Sequence, residues 1–326
     1  MRRLLVAETS RWLARRGLWI TLACGIAVAC LAAMSMISAA RPPSGASVEE
    51  GRRYFAEAHA NWVEHSKDDY QACLDSVTVD AAKECAGLLE EPKEADFVPQ
   101  PLRWADAVSG AANAGAGLGG ILAMVLAASF WGAEYRHGTV STWLTFVPNR
   151  TRVWVSRFAV LAVAGALVVL VMEALLLAAA AGGVWVLQGS AAVGSPDAAL
   201  AIAARGLGFG AMMAALGGAL AVLTRTTIAA TAIPIVYLFL QMSVGVLYLI
   251  PGFERLAGWL PEHNIAAYLN NGTTYNIPVD RVTEHGVVTD FVERTLPFAQ
   301  GLVYLSVLVG VVAAGSLLAF RRRDVT

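Results

Sequence analysis

Residues 158–187 read FAVLAVAGALVVLVMEALLLAAAAGGVWVL, thirty residues of which one, Glu173, is ionisable. Coiled as a helix, this run reaches about 45 Å, more than the roughly 30 Å hydrocarbon core of a bilayer. A helix also satisfies its own backbone donors and acceptors, the condition for crossing lipid. Working outward, five further runs pass the same test, at 18–40, 107–130, 198–223, 228–250 and 298–320. The first is too long for the apolar core of a signal peptide and reads as a retained span. The whole chain of 326 residues agrees, being 57% hydrophobic and 15% charged with a mean hydropathy of +0.57. Soluble domains carry roughly a quarter charged residues. Four cysteines are too few for a disulfide scaffold, and a net charge of −1 gives no sign of nucleic-acid binding. The expectation is an all-α membrane protein with six transmembrane helices.

Orientation follows from the arginines. With the N-terminus in the cytoplasm, the inner segments hold 13 Lys and Arg against Glu8, Glu134 and Asp324, and the outer segments hold 11 against 21 carboxylates. The positive-inside rule then places both termini in the cytoplasm of a multi-pass cell-membrane protein. Trp19 and Trp131 fall near the inner interface and Trp104, Trp185 and Trp259 near the outer one.

Residues 1–17 read as an interfacial helix with Leu5, Val6, Thr9, Trp12 and Leu13 on an apolar face, and Arg3, Arg11 and Arg15 toward anionic lipid. The outer insert, 41–106, reads as a helical hairpin. A first helix over 48–75 carries a stripe of Tyr54, Ala58, Trp62 and Val63, and a second begins at Thr78 or Asp80 and stops before Pro92. Cys73 and Cys85 bracket the turn. In one straight helix they would stand about 18 Å apart, but in a hairpin they meet, so a disulfide is expected on the oxidising side, with two free thiols as the alternative. The segment 251–297 shows two short apolar helical turns broken at Pro261, read as re-entrant or interfacial helices or as a cap over the bundle. Residues 321–326 form a cytoplasmic tail.

The loop over 131–157 is dense in local signals. Glu134, Tyr135 and Arg136 end a span, Gly138 breaks it, and Thr139 can cap a short helix over 140–146 that Pro148 stops. Arg150, Arg152 and Arg157 then pin the next span at the headgroups. The result is a stiff cytoplasmic knob that offers Trp143 and Leu144 to a partner's groove.

This loop resembles the cytoplasmic segment of ABC-2-type ABC transporter permeases, which runs roughly Glu-Tyr-Arg-x-Gly-Thr, then Leu-Leu/Thr, then Pro-x-x-Arg. The matching residues are Glu134, Tyr135, Arg136, Gly138, Thr139, Leu144, Thr145, Pro148 and Arg150. The remainder of the chain is similar in outline, and the acidic insert resembles those of actinobacterial permeases of this type. The resemblance implies a coupling helix at 140–146, with Trp143 and Leu144 at its centre, docked on a separate ABC ATPase subunit. It implies a second permease subunit, identical or related, and outward movement of an amphiphilic small molecule, lipid or peptide. ATP and magnesium would sit on the partner, because this chain has no Gly-x-x-x-x-Gly-Lys-Ser/Thr phosphate loop. No cofactor is expected in the chain itself.

Other signals are weaker. Glu173, alone at mid-span, can line a transport path, pair with Arg205, or stay protonated at a subunit interface. Glycines such as Gly115, Gly119, Gly206 and Gly210 permit close helix contacts. The five histidines lack metal-ligand spacing, and no arrangement suggests catalysis. Two other classes compete with a permease. One is a non-transporting sensor or scaffold whose extracytoplasmic insert binds a ligand. The other is an intramembrane enzyme resting on Glu173 and Arg205 alone.

Overall fold

The computed structural model describes residues 2–76, 85–241, 253–283 and 286–322. Eleven helices and one strand pair follow in order among them. Helix α1 (Arg2–Leu13) turns at Arg15 into α2 (Arg16–Ala39). The insert contributes α3 (Gly45–Ser76), a 3-10 turn (Ala86–Leu89) and α4 (Glu94–Phe97). The bundle continues with α5 (Trp104–Arg136), α6 (Thr139–Phe146), α7 (Arg150–Gln188), α8 (Asp197–Thr224) and α9 (Thr227–Gln241). Two 3-10 turns lead to α10 (Pro261–Asn270), strands β1 (Thr273–Thr283) and β2 (Gly286–Leu296), and α11 (Phe298–Arg322).

Five described helices are long and apolar enough to cross a membrane: α2, α5, α7, α8 and α11. The sixth expected run enters as α9, and its continuation beyond Gln241 lies outside the described residues. Helices α5, α7 and α8 form the centre, while most of α2 and α11 keeps its apolar surface outside the protein.

Lipid tails are as apolar as leucine, so burial alone does not hold such helices together; close van der Waals approach must. The glycines supply it. A Cβ at Gly115 would stand 2.6 Å from the Glu173 Cα, and one at Gly119 would stand 2.7 Å from the Val169 Cα. Gly115 and Gly119 are one turn apart on α5, as Val169 and Glu173 are on α7, so the two backbones meet along a seam. Polar side chains fasten the end of the bundle nearest the insert. Gln188 donates from one amide nitrogen to the carbonyls of Ala40 and Leu102, and Trp104 Nε1 donates to the Ser195 carbonyl.

The insert departs from expectation in its packing face. Cys73 and Cys85 are joined in a disulfide with Cα atoms 6.0 Å apart. Thr78 and Asp80 lie outside the described residues, and the segment that folds back is a 3-10 turn followed by α4. Trp62 Nε1 donates to the Leu88 carbonyl, Phe55 packs near Phe97, and Gly51 lets the Phe97–Val98 backbone approach. Tyr54 and Val63, expected on the packed stripe, are instead exposed, because the inward face is set by Gly51, Phe55 and Trp62.

Among the described residues of 251–297, the first of the two expected turns is the pair of 3-10 turns, Phe253–Arg255 and Ala257–Trp259, and the second is α10, which starts at Pro261. Its Ala267, Tyr268 and Leu269 are buried in packing against α11 and α8, and Asn113 of α5 donates to Asn270. Asn271 and Gly272, both at positive φ, end it. An antiparallel hairpin follows, with Thr273 opposite Leu296 and Thr283 opposite Gly286. The sequence reading contained no strand. Runs such as Thr-Thr-Tyr-Asn-Ile-Pro-Val and Val-Val-Thr-Asp-Phe-Val carry the β-branched and aromatic content that favours one.

Candidate functional site

The loop joining α5 to α7 is a compact, tied-down turn. Helix α5 stops where Gly138 takes φ +64°, a backbone region that glycine enters without penalty. The Thr139 hydroxyl donates back to the Glu134 carbonyl, so it closes α5 rather than capping α6. After Pro148, the Asn149 side chain accepts from the Arg152 amide and caps α7, a role the sequence reading did not assign. Arg150 reaches across to the Phe320 and Arg321 carbonyls at the end of α11.

One side of α6 is anchored. Leu144 and Val147 pack against the core cluster to which Trp131, Phe158 and Phe320 belong, and Tyr135 stacks on Trp131. Leu144 is half-buried against this core. Trp131 is wholly buried and is not an interface marker. The opposite side of α6 is open, with Thr142, Thr145 and Pro148 exposed and Phe146 at 78% exposure. Helical geometry explains the split, since Phe146 sits about 200° around the axis from Leu144 and shares a face with Thr142 at i−4. That argument was available from sequence once Leu144 was assigned inward. The side chain of Trp143 lies outside the described residues, while Arg136 and His137 are exposed beside the knob.

Beneath the knob lies a buried ion cluster that sequence reasoning missed. Arg157 of α7 has 0% exposure; its Nε donates to Glu8 of α1 at 3.0 Å and its Nη2 to Glu134 of α5 at 3.0 Å. Glu134, 1% exposed, also accepts from Arg11 and Arg15, each at 2.7 Å. The Arg15 Nη1 goes on to the Ser129 and Phe130 carbonyls. Aromatic faces complete the enclosure, with the Arg157 guanidinium 4.7 Å from the Trp131 ring centre and that of Arg15 4.5 Å from Phe130. Burial draws the Arg15 guanidinium below its ordinary value; Glu134 opposes that shift and Arg11 and Arg157 add to it. The arrangement bolts α1 to the ends of α5 and α7.

Several expectations change here. Glu134 faces inward, where Arg11, Arg15 and Arg157 engage it. Arg157 does not lie at headgroups. Helix α1 presents Glu8, Arg11 and Arg15 to the protein, leaving Val6 and Leu13 outside. The lone acid of a basic segment, at i, i+3 and i+7 with two arginines, was the signal for it.

Glu173 and Arg205 are not brought together. Arg205 Nε donates to the Leu269 carbonyl of α10. Glu173 is 1% exposed, inside this chain's own helices between Gly115 and Gly206, and neither carboxyl oxygen has a hydrogen-bond partner among the described residues. No group of His, Cys, Asp and Glu able to hold a metal occurs among the described residues.

Compared with known proteins, residues 7–325 match a family model described as an ABC-2 family transporter protein. No curated protein and no solved structure gives a significant match.

Proposed function

This chain belongs to the ABC-2 family of transporter proteins, a membrane transporter subunit by that membership, and from this premise we propose that it is the permease of an ATP-driven exporter. The nucleotide is bound and hydrolysed by a separate ATPase subunit, and the arginine-rich end of the bundle faces the cytoplasm with both termini. Two permease subunits, identical or paired, enclose the path, and the cargo is an amphiphilic small molecule, lipid or peptide.

One observation carries the reading: α6 projects an open face of Thr142, Thr145 and Phe146 while Leu144, Asn149 and Arg150 hold it rigidly to α5, α7 and α11. A force applied to such a knob moves whole spans, because the ion cluster leaves little play between α1, α5 and α7. A large exposed aromatic in the middle of short polar neighbours is also the composition of an anchor residue at an interface. A loop that only set topology would need neither the stiffness nor the exposed Phe146.

The test is co-expression with the cognate ATPase, purification, and ATP hydrolysis measured in lipid. Phe146→Asp should abolish co-purification and cargo-stimulated hydrolysis while the permease keeps its melting temperature. An intact, coupled complex carrying Phe146→Asp would overturn the docking surface.

A further inference from the structure

Where α1 turns into α2, the chain leaves a cleft of about 400 Å3 against α5. Trp12, Arg15, Ser129 and Ala133 line it over a buried floor of Leu18, Leu126 and Phe130, and the exposed Arg16 and His137 complete it. Arg11 and Arg15, the arginines that sequence assigned to lipid, are consumed by Glu134. Arg16 is different: it is exposed, and among the described residues no hydrogen bond or ion pair engages it. The buried cluster behind the cleft holds three guanidinium groups against two carboxylates, so it adds positive charge in a setting where screening by water is weak.

We propose that this cleft is a binding site for one anionic phospholipid, with the headgroup phosphate on Arg16 and the first acyl carbons against the half-buried Trp12. Charge selects an anion. The position at the start of a helix that reads as a span, with Trp19 exposed on that helix, selects a lipid over a free phosphate. Gly17 lines the cleft with open space around it, so a larger side chain there would enter that space without displacing a neighbour. A bound lipid would brace α1 against α5 from the side opposite Arg157.

The experiment uses the full chain in a neutral detergent, titrated with phosphatidylglycerol, phosphatidylcholine or sn-glycerol 3-phosphate. Melting temperature and native mass spectrometry report binding. Phosphatidylglycerol should bind and stabilise, with the other two well behind. Arg16→Gln should weaken phosphatidylglycerol binding about fivefold, the worth of one arginine near an anionic headgroup. Gly17→Leu, which fills open space, should weaken it as well. Neither variant should alter the lipid-free melting temperature. Equal stabilisation by phosphatidylcholine, equal stabilisation by glycerol 3-phosphate, or undiminished phosphatidylglycerol binding by both variants would each overturn the site.

Discussion

Replacing Glu134 with glutamine keeps the shape of the side chain and removes the charge that Arg11, Arg15 and Arg157 share. Breaking a buried ion pair by deleting one partner costs about 3–5 kcal/mol, because the remaining charge stays desolvated. Two details place this variant at the lower end. The side chains of Arg11 and Arg15 are 29% and 28% exposed and can turn toward water, and Arg157 keeps Glu8. The loss falls on the attachment of α1, whose inward contacts are Glu8, Arg11, Trp12 and Arg15. A local cost of about 3 kcal/mol raises the opening equilibrium of α1 about a hundredfold. Hydrogen exchange in detergent or nanodiscs reads this directly, as lost protection over residues 4–13 with the α7 and α8 cores unchanged. Glu94→Gln is the control. Its pair with Arg52 is more than half exposed on both sides, so it should cost under about 1 kcal/mol. Protection of α1 in Glu134→Gln within threefold of the parent would refute the idea that the cluster holds the helix.

Four further outcomes follow from the packing. Leu144→Asp should lower the melting temperature by setting a charge half-buried against the core cluster, whereas Phe146→Asp should not, and equal melting curves would contradict the two-sided knob. Gly119→Val should prevent assembly of the α5–α7 seam, seen as loss of monodisperse protein by size exclusion, while Gly182→Ala, with open space around it, should be neutral or gain up to about 1 kcal/mol. Glu173→Gln deletes a charge that no described cation compensates, so thermal melting should stay level or rise; a clear drop would point to a partner for the carboxylate. Cys73→Ser should loosen the end of α3 by about 3 kcal/mol, as expected for opening a loop of a dozen residues, and limited proteolysis near the bridge should accelerate.

Five of the six expected spans were legible because each is a long apolar run whose length alone meets the thickness of a bilayer, and the Gly138 break and Pro148 stop were legible because those residues act locally. What stayed hidden was non-local. Nothing near Arg157 in the chain reveals that Glu8, 149 residues earlier, is its partner, so a loop arginine read as a headgroup anchor. The inward turn of Leu144 likewise depends on a core cluster assembled from distant segments, Leu18 and Phe320 among them. The hairpin after α10 failed for another reason. Its strands alternate imperfectly, with Pro278 and the charges at Asp280, Arg281, Asp290, Glu293 and Arg294 diluting the pattern, and a helical frame on both sides biased the reading.

The central claim, that α6 is where an ATP-hydrolysing subunit pushes, is tested most directly by a photo-crosslinking amino acid at position 146 in the co-expressed, lipid-reconstituted complex. The account predicts a crosslink to the ATPase that strengthens or weakens with nucleotide, and none from position 193 at the opposite end of the bundle. A complex that hydrolyses ATP in step with cargo while position 146 touches only lipid or water would contradict it.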